Sequence, residues 1–296
     1  MWAKAWWATV GAALAGILLL LAGCGAVAPH PQHEGEVPVG VYAATEQSTW
    51  SDVAAFGHGA GQPVSYVLDY LGPSDFFPAT LGADAAQHHA ELVLQLRPAM
   101  SMQQVAAGGD DAYLDTLAAQ VGGYGHRVIL SWAAEANANW YSWGYKNTPV
   151  SDYRAAWAHV LRVFRADHNV TWMDTLNRTY RGAGPTREYM VPGVSVYGID
   201  AYYDYPGDTF ASVVGPTLRQ IRAVTSKPVL INETGIGQVD SQATDIPGLV
   251  RGVRANHLMG FIWFNVNQGT GDIYHQNWAL TPAGMTALRA SLAAAR

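Results

Sequence analysis

From Val39 onward, short apolar segments alternate with segments of helical periodicity. Eight of the apolar segments are continuously hydrophobic, as strands buried on both faces are: VGVYAA, VSYVLDY, LVLQLRP, RVILSWAAE, VTWMDTLN, VYGIDAYY, PVLINETG and GFIWFNVN. Between two of them, Tyr153, Trp157, Val160 and Phe164 recur at helical spacing. The alternation predicts parallel β-strands that are connected by helices.

Eight such units match the closed (β/α)₈ barrel, which typically has about 250 residues. We therefore expect one α/β domain, a (β/α)₈ TIM barrel, over residues 39–296. A doubly wound open sheet is the alternative. It is weakened because no G-x-G-x-x-G segment follows the first strand.

The N-terminal segment has the composition of an export signal. Lys4 is followed by the apolar run WWATVGAALAGILLLLAG, and the segment ends in LAGC at Cys24. This ending resembles the bacterial lipobox, so we expect a signal peptide over residues 1–23, lipidation of Cys24 and a tether to residue 38. The protein would then be exported and anchored in the cell membrane, facing outside the cytoplasm. An uncleaved N-terminal anchor is the alternative, since the apolar run is long enough to span a membrane.

Cysteine and charge counts narrow the range of functions. Cys24 is the only cysteine, so the domain has no intrachain disulfide. Without Lys4 the mature chain carries 16 Lys and Arg against 23 Asp and Glu, a net charge of −7. This balance argues against a nucleic acid or an anionic polymer as partner and suits a neutral substrate. No metal-ligand spacing or phosphate-binding loop is present, so we expect no metal, no cofactor and a monomer.

Two glutamates stand at the ends of apolar strands, where a barrel has its active site. Glu135 ends the fourth predicted strand and Glu233 ends the seventh. A carboxylate at such a position is partly desolvated and needs a partner or a function. Structural salt bridges at the barrel rim are one explanation. A pair of carboxyls for glycosidic hydrolysis is the other, and the presence of both glutamates favours it.

The sequence around each glutamate suits a different role. Trp140 and Trp143 follow Glu135, and apolar surroundings raise the pKa of an acid that must donate a proton. Polar neighbours surround Glu233, and Tyr202 or Tyr203 of the sixth strand could donate to it. Hydrogen-bond donors of this kind keep a nucleophile ionised.

The segment EANANWYSWG resembles the fourth-strand motif of glycoside hydrolase family 26, the β-mannanases. That motif reads Glu, any residue, Asn, a small residue, Asn-Trp-Tyr, any residue, Trp-Gly. The matching positions are Glu135, Asn137, Asn139, Trp140, Tyr141, Trp143 and Gly144. GIDAYY, KPVLINETG and GFIWFNVN resemble the family's sixth, seventh and eighth strands.

The resemblance covers essentially the whole mature domain and implies a retaining double-displacement mechanism without a metal. Glu135 would be the acid/base and Glu233 the nucleophile. Tyr202 would position the nucleophile. The residues that would bind sugar are Asn139, Trp140, Trp143 and Trp263.

Two features depart from the family pattern or lack an assignment. Ala134 stands where the family usually has a histidine directly before the acid/base. Either another residue takes over its contact, or catalysis is weakened or directed to another sugar. Arg97 at the end of the third strand is expected to pair with Asp69, and binding of a charged sugar is the alternative.

The sequence therefore predicts an endo-acting β-glycoside hydrolase, with β-1,4-mannan as the default polymer. A carbohydrate-binding lipoprotein on a decayed barrel is an alternative, for which Ala134 argues. A hydrolase of the producer's own surface or secreted polysaccharide is another. In each case the partner is a polysaccharide or oligosaccharide.

The lipidation hypothesis predicts that Cys24→Ala abolishes lipid labelling, because the lipid is attached through this sulfur. The variant should be released or misrouted. Metabolic labelling with a fatty acid and separation of membrane and soluble fractions measure both effects. Partitioning like that of the wild type would contradict the lipobox.

Overall fold

The computed structural model describes residues 35–43, 49–237, 239–268 and 276–296, all within one compact unit, Gln32–Arg296. Eight parallel strands follow one another around a closed barrel, and the last pairs with the first. The predicted (β/α)₈ barrel is confirmed, and the alternative of an open sheet is wrong. The predicted signal peptide, Cys24 and most of the tether lie outside the described residues, so those expectations stay predictions.

The eight strands coincide with the eight apolar segments of the sequence. They are β1 Val39–Tyr42, β2 Tyr66–Leu71, β3 Glu91–Leu96, β4 Val128–Trp132, β5 Val170–Asn177, β6 Val196–Asp200, β7 Val229–Thr234 and β8 Phe261–Phe264.

In the described ranges, ten α-helices connect the strands or follow the last one. They are α1 Trp50–Ala60, α2 Ala79–Gln87, α3 Met102–Ala106, α4 Asp111–Tyr124, α5 Val150–Val163, α6 Thr186–Tyr189, α7 Phe210–Val213, α8 Gly215–Arg222, α9 Gln242–Ala255 and α10 Pro282–Ala294. Short 3₁₀ helices follow α5 and precede α9. Within the described ranges, none of the helices combines the length and apolar character that crossing a membrane requires.

The core has two layers, because successive strand residues point to opposite faces. One cluster contains only strand residues and residues next to strands, among them Leu68, Ile129 and Ile262, and it fills the barrel interior. The other joins the outer faces of the strands to the helices and includes Trp157 of α5 and Trp263 of β8. Ile262 and Trp263 are neighbours in the chain and belong to different layers.

The register between β6 and β7 contains a bulge. Ile199 lies opposite Ile231, and the next residue, Asp200, lies opposite Glu233 rather than opposite Asn232. A bulge of this kind inserts one residue and re-aims the side chains that follow it. It allows Asn232 and Glu233, consecutive in the chain, both to contribute to the mouth of the barrel.

Gly40 of β1 provides a test of how tightly the barrel is packed. A Cβ atom there would lie 2.7 Å from the Cβ of Tyr66 and 2.9 Å from the Cγ1 of Ile262. We expect Gly40→Ala to lower the free energy of unfolding by about 1–3 kcal/mol, because neither strand can move away. Urea denaturation measures the change.

Gly123 of α4 is the matched control, since a Cβ there meets nothing within 4 Å. Gly123→Ala should leave stability unchanged or raise it by up to about 1 kcal/mol, because alanine favours the helix. Equal destabilisation by both substitutions would contradict the packing argument.

Candidate active site

A cleft at the carboxyl end of the barrel contains both predicted catalytic residues. Its lining residues are Tyr70, Gln95, Leu96, Arg97, Ala134, Glu135, Tyr141, Trp143, Asp200 and Glu233. This is the end at which (β/α)₈ barrels place their active sites. A larger cavity of about 740 Å³ lies against α1 and α10, but its described lining residues include no carboxylate. The cleft is therefore the candidate site.

Glu233 is held by three hydrogen-bond donors, which come from β2, from β3 and from the segment that follows β6. The hydroxyl of Tyr70 donates to Oε1 over 2.6 Å and the hydroxyl of Tyr202 donates to Oε2 over 2.7 Å. The side-chain amide of Gln95 also donates to Oε1. Burial raises the pKa of Glu233, and these three donors oppose that rise because they stabilise the charged form. Both carboxylate oxygens are thereby fixed in orientation.

Glu135 lies in a turn that directly follows β4. The backbone of Ala133 and Glu135 is in the left-handed region, with φ of 48° and 59°. Non-glycine residues seldom adopt this conformation, and it is concentrated at functional sites. The Glu135 N–H donates to the carbonyl of Thr175 on β5 over 2.8 Å. The turn is thus attached to the neighbouring strand.

Two asparagines reinforce this attachment. Asn137 Nδ2 donates to the carbonyl of Asn177 over 2.9 Å, and the N–H of Asn177 donates to Asn137 Oδ1 over 2.8 Å. Both asparagines are buried, so this reciprocal pair satisfies polar groups that could not reach water. The first asparagine of the family-like motif, Asn137, therefore has a structural task.

The carboxylate of Glu135 accepts two hydrogen bonds. Asn177 at the end of β5 donates to Oε1, and Trp140 Nε1 donates to Oε2 over 3.0 Å. Burial and the nearby charge of Glu233 raise the pKa of Glu135 to about 7, although both donors favour the ionised form. Glu135 can therefore hold a proton at neutral pH and also lose it, as a residue that acts in turn as acid and base must.

Asp200 is a third carboxyl beside the pair. It is 1% exposed and accepts a hydrogen bond from Asn232 Nδ2 over 3.1 Å. Burial and the charges of Glu233 and Glu135 raise the pKa of Asp200 well above its ordinary value. This shift favours the neutral form of Asp200, which adds no negative charge to the cleft.

The predicted sugar-binding residues occupy different surroundings. Trp140 is 42% exposed and stacks on Tyr180, with ring centroids 5.7 Å apart. Trp143 lines the cleft and stacks on Tyr141, with ring centroids 4.4 Å apart. Asn139 is exposed on the rim, and its Oδ1 accepts from the hydroxyl of Tyr180.

The prediction for Trp263 requires correction. This residue is completely buried, belongs to the layer between the strands and the helices, and donates through Nε1 to the carbonyl of Trp278 over 2.8 Å. The next residue, Phe264, points into the barrel instead and packs against Tyr42 and Tyr202. The alternation of side chains along β8 thus gives the inner position to Phe264 and takes Trp263 out of the cleft.

Sequence reasoning missed three residues that hold the glutamates: Tyr70, Gln95 and Asn177. Each stands on an apolar strand at or near its carboxyl end, a signal that the sequence did contain. The predicted pairing of Arg97 with Asp69 is not found in the described part of the chain; Asp69 accepts instead from the N–H of Tyr70.

A metal has no evident site in the described ranges, where no group of three His, Cys, Asp or Glu residues could hold one.

Comparison with known proteins gives one relative in sequence and a set of structures with a similar fold. No model of a known protein family matches the chain. Endoglucanase H of Acetivibrio thermocellus is 25% identical over 280 residues, in an alignment that covers 86% of this chain and 30% of that protein.

Two solved structures extend the comparison. The family 26 domain of an endo-β-mannanase/endo-β-glucanase from Prevotella bryantii gives a TM-score of 0.62 at 12% identity and covers 86% of this chain and 89% of its own. A modular family 26 endo-β-1,4-mannanase from Cellulomonas fimi gives 0.67 at 14% identity, covering 87% and 70%. The chain has the fold of the family 26 β-mannanases. The resemblance predicted from the sequence is therefore confirmed for the fold.

The raised pKa of Glu135 predicts a pH-dependent cost in stability. The folded protein holds this proton up to about pH 7, whereas an unperturbed glutamate side chain, as in the unfolded chain, loses it near pH 4.5. Stability should therefore fall as pH rises between these values. Glu135→Gln removes the cost, so we expect it to be more stable than the wild type by about 3 kcal/mol at pH 8, with little difference at pH 4.

Urea denaturation at pH 4, 6 and 8 measures this difference, and Glu188→Gln, at an exposed glutamate on α6, is the control. The same difference from wild type at every pH would contradict the assignment.

Proposed function

We propose that the chain is a retaining, endo-acting β-glycoside hydrolase with Glu135 as acid/base and Glu233 as nucleophile. The observation that carries the proposal is that one cleft places two carboxyls in unlike environments. Glu233 receives three donors, which favour the charged form, while Glu135 has a pKa near 7. Pairs of carboxyls with separated roles are the basis of glycosidic hydrolysis.

In the first step Glu135 donates its proton to the glycosidic oxygen, and the bond from that oxygen to the anomeric carbon breaks. A carboxylate oxygen of Glu233 forms a bond to the same carbon, which gives a covalent glycosyl-enzyme. In the second step the ionised Glu135 removes a proton from water. The water oxygen attacks the anomeric carbon and releases Glu233, and Glu135 regains its proton.

The proximity of the two carboxyls assists this exchange of roles. The charge of Glu233 contributes to the raised pKa of Glu135. That charge is absent while Glu233 is esterified to the sugar, so the pKa of Glu135 falls in the intermediate. Glu135 is thus a proton donor when the first step begins and a base when the second begins.

The contacts of Glu135 support an active enzyme over a carbohydrate-binding protein on a decayed barrel. Ala134 lacks the side chain that the family usually has at this position. Asn177 and Trp140 nevertheless donate to both oxygens of Glu135, so the carboxyl remains held.

Neutral β-1,4-mannan is the first substrate proposed, in accordance with the family 26 mannanases that share the fold. β-Glucan is the second, because the curated relative is an endoglucanase. The exposed indole of Trp140 beside Tyr180 offers an aromatic face on which a pyranose ring can stack. Export and attachment to the membrane through Cys24 would place this activity at the cell surface.

The proposal is tested by incubating purified full-length protein with defined mannans, β-glucans and bacterial surface polysaccharides. Proton NMR of the first product formed identifies its anomeric configuration. Retention supports the double displacement, and inversion would exclude it. Binding without hydrolysis of any of these glycans would favour the carbohydrate-binding protein.

Separate replacement of the two glutamates should give different losses. Glu233→Ala should eliminate turnover of all substrates, because no covalent intermediate forms, and azide should restore release of a glycosyl azide of inverted configuration. Glu135→Ala should still react with a dinitrophenyl glycoside, whose leaving group needs little protonation. It should lose about 10²–10⁴-fold on polysaccharide, the usual contribution of general acid catalysis.

The pH profile provides an independent readout. Activity of the wild type should decline above about pH 7 as Glu135 loses its proton, and this alkaline limb should disappear in Glu135→Ala. Equal losses for both variants on both kinds of substrate would show that the roles are misassigned.

A further inference from the structure

Arg97 is a cation in the cleft that forms no salt bridge with the residues that the structure describes. It directly follows β3, is exposed and lines the same cleft as Glu135 and Glu233. Its guanidinium carbon lies 5.6 Å from the centre of the Tyr70 ring. Within the described ranges its side chain forms no salt bridge and no hydrogen bond.

Three other arginines form salt bridges with carboxylates in the described ranges. Arg127 pairs with Glu91, Arg178 with Asp204 and Arg296 with Glu36. Asp69, the partner expected for Arg97 from the sequence, accepts from the N–H of Tyr70 over 3.0 Å. No carboxylate of the described residues lies within salt-bridge distance of Arg97, and its planar donor fork lies in the cleft that contains the proposed catalytic pair.

The contact with Tyr70 holds this fork beside the nucleophile. Tyr70 is fixed because its hydroxyl donates to Glu233 Oε1. Its ring then provides a rigid face for the guanidinium, an arrangement that cation–π attraction favours. A group bound by Arg97 would lie on the Glu233 side of the cleft, where the sugar that forms the covalent bond must sit.

We propose that Arg97 binds the carboxylate of an acidic sugar in the substrate, so that the enzyme acts on a β-glycan containing uronic acid residues. Guanidinium and carboxylate match in shape and can form two parallel hydrogen bonds. The inference rests on the proposed glycosidase function and specifies its substrate class. The acidic sugar is the one attacked by Glu233 or its immediate neighbour.

The negative charge of the chain restricts the kind of glycan. A net charge of −7 and the carboxyls of the cleft repel a polyanion, which was the reason to expect a neutral substrate. A single substrate carboxylate in contact with Arg97 interacts most strongly with that arginine, because physiological salt screens charges that lie more than about 8 Å away. The substrate is therefore a mainly neutral glycan with spaced acidic residues.

Arg97 could instead act on the catalytic pair alone, since its charge lowers the pKa of both Glu233 and Glu135. Such an effect would be the same for neutral and acidic substrates and would shift the pH profile. A carboxylate-binding role depends on the substrate, so the two roles are separable.

The test compares glucomannan and mixed-linkage β-glucan with the same polymers in which a small fraction of the C6 hydroxymethyl groups has been oxidised to carboxylates. The assay uses full-length protein as wild type, Arg97→Gln and Arg97→Lys. The control is Arg165→Gln, at an exposed arginine after α5.

We expect the wild type to prefer an oxidised polymer. Arg97→Gln should lose about tenfold in kcat/KM on that polymer and no more than about threefold on its parent, as expected for a hydrogen bond to a charged group. The kcat/KM of Arg97→Lys on the oxidised polymer should lie between the values of the wild type and Arg97→Gln, and Arg165→Gln should match the wild type.

A binding arm makes the inference independent of turnover. Calorimetry measures the affinity of Glu233→Gln, with and without Arg97→Gln, for oligosaccharides of the parent and oxidised polymers. Tighter binding of the oxidised oligosaccharides that is lost in Arg97→Gln supports the inference. It does so even if no glycan is hydrolysed, because the absence of hydrolysis would overturn only the proposed function. Equal losses on parent and oxidised glycans, or no preference for the oxidised set, would overturn the inference.

Discussion

Two carboxyls that share one partly desolvated cleft are the constraint around which the carboxyl end of this barrel is organised. Each carboxyl raises the free energy of the other's charged form, and burial adds to the effect. The chain compensates unequally. It directs three neutral donors at Glu233 and leaves Glu135 with two donors and a pKa near 7. The larger number of donors at Glu233 favours its charged form, and the proposed division into an acid and a nucleophile rests on this difference.

Backbone distortions allow this arrangement on a regular barrel. A regular strand sends consecutive side chains to opposite faces, so it cannot deliver both Asn232 and Glu233 to the barrel mouth. The bulge between β6 and β7 resolves this for Glu233. For Glu135 the solution is a turn with left-handed residues whose position is fixed by hydrogen bonds to β5. The most irregular backbone of β4 and β7 therefore coincides with the candidate site.

The strands could be predicted from the sequence because burial on both faces makes each of them an uninterrupted apolar segment. The same property gives no information on whether an individual side chain points into the barrel or toward the helices. In FIWF every position is hydrophobic, so nothing in the pattern distinguishes Trp263, which packs against the outer layer, from Phe264, which points inward. At Tyr70 and Gln95 a polar side chain interrupts an apolar segment, and both residues line the cleft. Their common partner, Glu233, could not be predicted from the pattern, because it comes next to them only when the barrel closes.

Glu135 and Glu233 could be found because a charged residue at the end of an apolar strand has few explanations. Asn177 was harder to assign, since asparagine at a strand end is also common in turns. Its contact with Glu135 arises from tertiary structure, through a turn held on β5. The outcome for Ala134 shows the same limit. The sequence revealed a missing side chain, but only the fold shows which neighbours hold the carboxyl in its place.

The indole of Trp140 lies exposed at the rim of the cleft and also donates a hydrogen bond to the proposed acid. It is 42% exposed, yet its Nε1 donates to Glu135. A ligand that displaces the indole removes one donor from Glu135 and thereby strengthens its hold on the proton. By thermodynamic reciprocity, the affinity of such a ligand must then vary with pH. Binding of such a ligand at the rim and protonation of Glu135 are therefore thermodynamically coupled.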